Sequence, residues 1–226
     1  MNMSRFWLTA VIIMVIMLSA CASKPDAQRT ILLPTHMAAP AATVQVEDIA
    51  GALERFMSAE GDQLILLPNR LDKTKLDYSM ASLQHIDRWL ADIHTVNRLQ
   101  SGVGTAGESL MRDGRGDNSV VFAGLYMGQV VRTHADLDWH WQRFETFLVA
   151  NPVFAEHYGR EAGLDAFILV GPQGAATPIN TALKRVIHGR EESVAFIAQL
   201  LSKEVDLDKA MASQDLLGMD QLNWPG

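Results

Sequence analysis

Residues Asn118 to Thr133 read NSVVFAGLYMGQVVRT, and this stretch decides the fold class. Projected at 100° per residue, it carries apolar or glycine side chains nearly all round, with Tyr126, Gln129 and Thr133 forming a polar wedge. A helix that is apolar on every side has to be enclosed by the rest of the chain. Gly124 and Gly128 stand one turn apart on it, and a missing Cβ at that spacing lets another backbone approach closely.

Working outward, the flanking segments supply what encloses it. Asp48 is a plausible N-cap for a helix in which Ile49, Leu53, Phe56 and Met57 recur at helical spacing before Gly61 stops the run. Gln63 to Leu67 reads as a short apolar strand ending at Pro68. A longer helix opens near Tyr78 or Ser79 and reaches about Arg98, with Leu83, Ile86, Leu90, Ile93 and Val96 on one stripe. Asp136 to Trp141 alternates polar and apolar residues as a strand does, and a helix follows that ends at Asn151-Pro152. Phe167 to Val170 is a short buried strand stopped by Gly171-Pro172. Two more helices follow. Ile179, Leu183, Val186 and Ile187 line the first until Gly189 caps it, with Lys184, Arg185 and His188 near its negative end. Glu191 and Glu192 open the second, whose Val194, Ile197, Leu200 and Leu201 continue the core. The fold class expected is α+β: a helix-rich single domain packed on a small sheet around a central buried helix.

The chain has 226 residues, 48% of them hydrophobic and 20% charged, which excludes a chain disordered throughout and a multi-pass membrane protein. Its formal charge of -7 repels phosphate backbones, so no nucleic-acid partner is expected. A single cysteine excludes an internal disulfide and any multi-cysteine metal or cluster site.

The N-terminus has an address. Arg5 forms a positive n-region, and Phe6 to Leu18 is apolar except for Thr9. The run is shorter than the roughly 20 residues that cross a bilayer and matches an export signal of about 7–15. Leu18, Ser19 and Ala20 then lead into Cys21, and this resembles the lipobox of bacterial lipoprotein signal peptides. The resemblance implies diacylglycerol transfer to the Cys21 thiol, cleavage after Ala20, and acylation of the new amino terminus, palmitate being a common acyl group. Ala22, a residue other than Asp after the cysteine, implies sorting to the outer membrane, facing the periplasm. The expected organisation is a signal peptide at 1–20, a lipidated Pro/Ala-rich tether at 21–47 broken by Pro25, Pro34 and Pro40, and a globular domain at 48–226. The C-terminal stretch to Trp224 is expected to dock on the body.

Within the body, Leu76 to Ser82 (LDYS…SL), Gly124 to Val131 (GxYxGxV) and Pro178 to Leu201 (KR…G…S…F) resemble an uncharacterised bacterial domain family. The Ala123–Gly128 run departs from its spacing at one position. No activity comes with that resemblance.

Candidate chemistry is sparse. Gly102, Gly104 and Gly107 spell G-x-G-x-x-G, but they follow a helix where a dinucleotide fold needs a strand, so a loop is the better reading and no cofactor is expected. His134, Asp136, Asp138 and His140 would share one face of a strand. At about 3.3 Å per residue the two histidines would lie roughly 20 Å apart, too far for one metal, and Asp138 and His140 at roughly 6.6 Å would need an outside ligand. Asp138 and His140, with Glu145 or Glu156, are nevertheless the candidate acid/base groups of an envelope hydrolase. His85 and His94 fall on opposite sides of their helix. Ser109 lacks the second glycine of a nucleophile elbow. Arg115-Gly116-Asp117 is the adhesion tripeptide in a glycine-rich loop expected to be exposed, but three residues match by chance so often that a plain loop is the better reading. The leading functional expectation is therefore a non-enzymatic, membrane-anchored lipoprotein whose body binds an envelope protein. Its rivals are the periplasmic hydrolase, with or without a metal, and an immunity or inhibitor protein that binds one toxin.

Overall fold

The computed structural model describes residues 43–102, 110–111, 114–154, 164, 166–172 and 174–203. Helix α1 (Ile49–Met57) is capped as its sequence predicts: the Asp48 carboxylate accepts from the Gly51 amide at 2.6 Å. Helix α2 (Leu83–Gly102) follows a 3-10 turn over Met80–Ser82, and Ser79 caps that turn by accepting from the Ser82 amide. Helix α3 (Asp117–His134) is the predicted central helix, with every residue from Asn118 to Gly128 buried. Tyr126 departs from the expected polar wedge. It is fully buried, because its hydroxyl finds partners inside the protein.

Strands β1 (His140–Arg143), β2 (Phe167–Gly171) and β3 (Gly174–Ala176) form an antiparallel sheet in the order β1-β2-β3, with helix α4 (Phe144–Ala150) between the first two in sequence. His140 pairs with Val170 and Trp141 with Leu169. Alternation then gives the sheet two distinct faces. Ile168 and Val170 pack against Phe144, Phe147 and Leu148 of α4. On the other face, the Trp141 indole lies where a Cβ on Gly128 of α3 would stand. Helices α5 (Pro178–His188) and α6 (Val194–Ser202) complete the enclosure: α3 packs on both, α2 packs on both, and α1 covers α3. The protein is an α+β fold, helix-rich, with a small three-stranded sheet and one buried central helix.

Close backbone approach is real at Gly124. A Cβ there would overlap the Ile179 backbone, 2.6 Å from its nitrogen and nearer still to its Cα, so α5 rests on the groove the glycine leaves. Gly189 ends α5 with φ +80°, and its α face lies against the His94 ring.

Several expected boundaries moved. Gln63 to Leu67 is not a strand; a 3-10 turn over Glu60–Gln63 runs into bends, and Leu67 has φ +50°. The backbone of Leu66 is satisfied by side chains in place of a neighbouring strand. Its amide donates to Ser119 Oγ at 2.8 Å and its carbonyl accepts from Trp89 Nε1 at 2.8 Å. The expected strand at 136–141 begins only at His140, because α3 continues through His134 and the Asp136 amide is taken by the Ser202 carbonyl. Glu191 lies in a 3-10 turn ahead of α6, and Ser193 is the cap that accepts from the Phe196 amide. The buried face of α6 is Val194, Ala195, Ala198 and Ser202, while Leu200 is exposed; likewise Ile187 of α5 is exposed. Small side chains line the inner face because α6 packs closely on α3.

Candidate functional site

The polar groups that the fold gathers lie where the 76–82 segment meets α3. Tyr78 in the 76–82 segment has φ +60°, a left-handed conformation unfavourable for a bulky residue. Three contacts hold it. Its amide donates to Tyr126 Oη at 2.8 Å, its carbonyl lies 2.8 Å from His134 Nε2, and its ring stacks on Tyr126 at a 4.8 Å centroid distance. Tyr126 Oη also lies 2.7 Å from Ser82 Oγ, which is 2.6 Å from the Ser79 carbonyl. Each hydroxyl has one proton, and a carbonyl only accepts. The chain therefore runs from Tyr78 N–H to Tyr126 O–H to Ser82 O–H to the Ser79 carbonyl. Burial pushes the Tyr126 phenol above its ordinary value, in keeping with a neutral donor. Asp77 beside it is held below the usual carboxylate range by hydrogen bonds from Ser79, with a smaller contribution from the His134 charge.

This arrangement is a latch. Ser82 is 3% exposed and gives its proton to a backbone carbonyl, whereas a nucleophilic serine needs an adjacent base. His134, the nearest imidazole in the network, is bound to the Tyr78 carbonyl.

A second node joins α5 and the start of α6 to α2. The Asp87 carboxylate accepts from Ser193 Oγ at 2.6 Å, the Val194 amide at 2.9 Å and the Ala195 amide at 3.1 Å, so a side chain from α2 caps α6. Arg185 of α5 is 7% exposed; its Nη2 donates to the Asp87 carbonyl, and its Nε lies 3.4 Å from Oδ1 as a charge contact without good hydrogen-bond alignment. Burial pushes this guanidinium pKa down and Asp87 pushes it back up. The sequence places Arg185 near the negative end of a helix and does not reveal its burial. The available signal was its place on the Ile179, Ala182, Val186 stripe.

The sequence candidates for chemistry are dispersed. Asp138 and His140 are exposed, one in the turn before β1 and one at its first position, and Glu145 is exposed in the first turn of α4. His134 belongs to α3 and not to their strand, so the shared polar face expected over 134–140 does not form. Among the described residues, no three His, Cys, Asp or Glu side chains are grouped to hold a metal. Cys21, Gly104, Gly107, Ser109, Glu156 and the stretch to Trp224 lie outside the described residues, and Gly102 is the last residue of α2. The adhesion tripeptide is not displayed as expected. Gly116 is buried against Met111, and Asp117 begins α3, its carboxylate 3.4 Å from Thr43 Oγ1. His85 and His94 are on different sides of α2; His94 Nδ1 lies 2.7 Å from the Val186 carbonyl, while His85 Nδ1 is 2.8 Å from Arg88 Nη2. Compared with protein-family models, curated proteins and solved structures, the chain matches none of them.

Proposed function

We propose that this chain is an envelope lipoprotein, anchored through Cys21 and facing the periplasm from the outer membrane, whose α+β body binds another envelope protein without doing covalent chemistry. The observation that carries the reading is the sequence Leu18-Ser19-Ala20-Cys21 directly after the apolar run from Phe6. The chain's one cysteine stands at the position a lipid would take, which leaves no thiol to mispair in an oxidising compartment. Support for a binding role comes from the polar nodes described above, which tie helices together and leave no activated nucleophile within them. Two or more acyl chains give stable anchoring where one gives only marginal binding.

The test is metabolic palmitate labelling of the wild-type chain and of Cys21→Ser, followed by crosslinking and pull-down from envelopes. The label should be lost in the variant, since serine offers no thiol for acyl transfer, and precursor should accumulate. Label retained on Cys21→Ser refutes the anchor. A defined protein partner recovered with the wild-type body supports the binding role, and turnover of an envelope substrate by the purified body refutes it.

A further inference from the structure

Helix α6 turns its smaller side chains to the core and its larger ones outward. Its sequence, VAFIAQLLS, holds no charge, and the buried side is Val194, Ala195, Ala198 and Ser202. Phe196 is 51% exposed and Leu200, one turn on, is 38% exposed, with Ile197 half-buried beside both. All three stand at spacings of three and four within one unbroken helix, so they form a single apolar stripe. A surface helix ordinarily gives water charged and polar residues, whereas on this side of α6 only Gln199 is polar.

The way the helix ends points to what covers the stripe. The Ser202 carbonyl accepts from the Asp136 amide at 3.2 Å and the Leu201 carbonyl from Trp139 Nε1 at 3.0 Å. Those carbonyls are taken, so α6 cannot lengthen without giving up both bonds. Lys203 is extended, with φ -104° and ψ 138°, and the chain leaves the helix axis there. The segment 204–226, outside the described residues, therefore starts one residue from the helix that carries the stripe. It holds Leu207, Met211, Leu217, Leu222 and Trp224, and its five carboxylates face one lysine. The stretch it adjoins, Pro178 to Lys203, has four Lys or Arg against two Glu, an excess of positive charge in a chain of formal charge -7. The two are thus matched in apolar content and opposite in charge. Proximity adds to the match. α6 is about 13 Å long, which a few extended residues span. A segment joined so closely meets the stripe at an effective concentration on the order of millimolar, well above that of a free second copy.

We propose that residues 204–226 form a strap that folds back over Phe196, Ile197 and Leu200, held by apolar contact and by the charge difference between the segment and the α5–α6 stretch. Covering the stripe removes large apolar side chains from water on both partners.

The test places a photo-crosslinking benzoylphenylalanine at Phe196 in the full chain, with Glu54, an exposed position on α1, as the control, and maps the products by mass. Crosslinks from 196 should fall mainly within 204–226 of the same chain, and those from 54 should not. Trypsin cleavage after Lys209, the segment's one basic residue, gives a second readout. It should be at least about tenfold faster when Phe196→Asp and Leu200→Asp are combined, with far-UV circular dichroism unchanged because both side chains are exposed. Crosslinks from 196 to a second copy, to another envelope protein or to lipid assign the stripe to that occupant and overturn the strap. An absence of crosslinks from 196 overturns it as well, and so does cleavage at Lys209 at one rate in both proteins. The Cys21 anchor stands or falls independently, on the palmitate label.

Discussion

Adding one methyl group at Gly124 tests the packing on which the fold depends. Two effects oppose each other in Gly124→Ala. Alanine is better than glycine by about 0.8–1 kcal/mol in a helix interior, so helix propensity alone predicts a stabilised protein. The new Cβ, however, would lie 2.6 Å from the Ile179 nitrogen and 2.8 Å from its Cγ1, against 3.4 Å for the start of ordinary contact. Relieving the nitrogen overlap requires α5 to retreat by about 0.8 Å, and a gap of that size forfeits roughly a quarter to a half of the dispersion well for the atoms that separate. The obstacle is backbone at the first turn of α5, which cannot rotate away as a side-chain tip can. Overpacking of this kind costs about 1–3 kcal/mol, and the constrained neighbour puts Gly124 in the upper half of that range. The net expectation is a loss of about 1–2 kcal/mol, or a melting temperature lower by roughly 2–8 °C for a chain of this length. Gly124→Leu should lose at least as much. The assay is urea denaturation of the unlipidated chain from residue 22, read by far-UV circular dichroism, alongside thermal melts. An unchanged or raised midpoint with the wild-type slope would refute the close approach of α3 and α5.

The other nodes make their own predictions. Tyr126→Phe leaves the half-buried Tyr78 amide without its acceptor and the buried Ser82 hydroxyl without its donor, so stability should fall by about 1–3 kcal/mol in denaturant titrations. The same variant has a pH signature: the folded phenol is raised above the ordinary value near 10, so its contribution is complete below about pH 10 and is lost as pH rises through the folded value. The difference between wild type and Tyr126→Phe should therefore shrink above that pH, and a constant difference refutes the assignment. Asp87→Ala uncaps α6 and strands the Arg185 charge, which should cost about 3–5 kcal/mol, while adding Arg185→Met should recover much of the loss by removing that charge; no recovery in the double variant refutes the pairing. His134→Ala should lose about 0.5–1.5 kcal/mol with its bond to the Tyr78 carbonyl, whereas His140→Ala, at an exposed position, should stay within about 0.5 kcal/mol. Neither should alter zinc or nickel binding in calorimetry, and stoichiometric metal binding abolished by His140→Ala would revive the metal-dependent hydrolase.

Sequence periodicity alone determined the fold class, because apolar side chains nearly all round 118–131 leave few arrangements other than enclosure by the neighbouring helices. It also located the Asp48 cap, the Gly189 helix end and the β2 strand, since caps, positive φ and short apolar runs depend on nearby residues. Where a backbone's partners came from far along the chain, local pattern misled. Leu66 looked like part of a strand, but Ser119 and Trp89 take its hydrogen bonds from 53 and 23 residues away. His134 and His140 alternated like strand residues, yet α3 continues as helix through His134 and divides them. Tyr126, Asp87 and Arg185 read as ordinary polar positions. Only the tertiary structure brought Tyr126 onto Tyr78 and Ser82, and Arg185 onto Asp87, because polar groups can be buried only when distant segments supply the partners that water would otherwise provide.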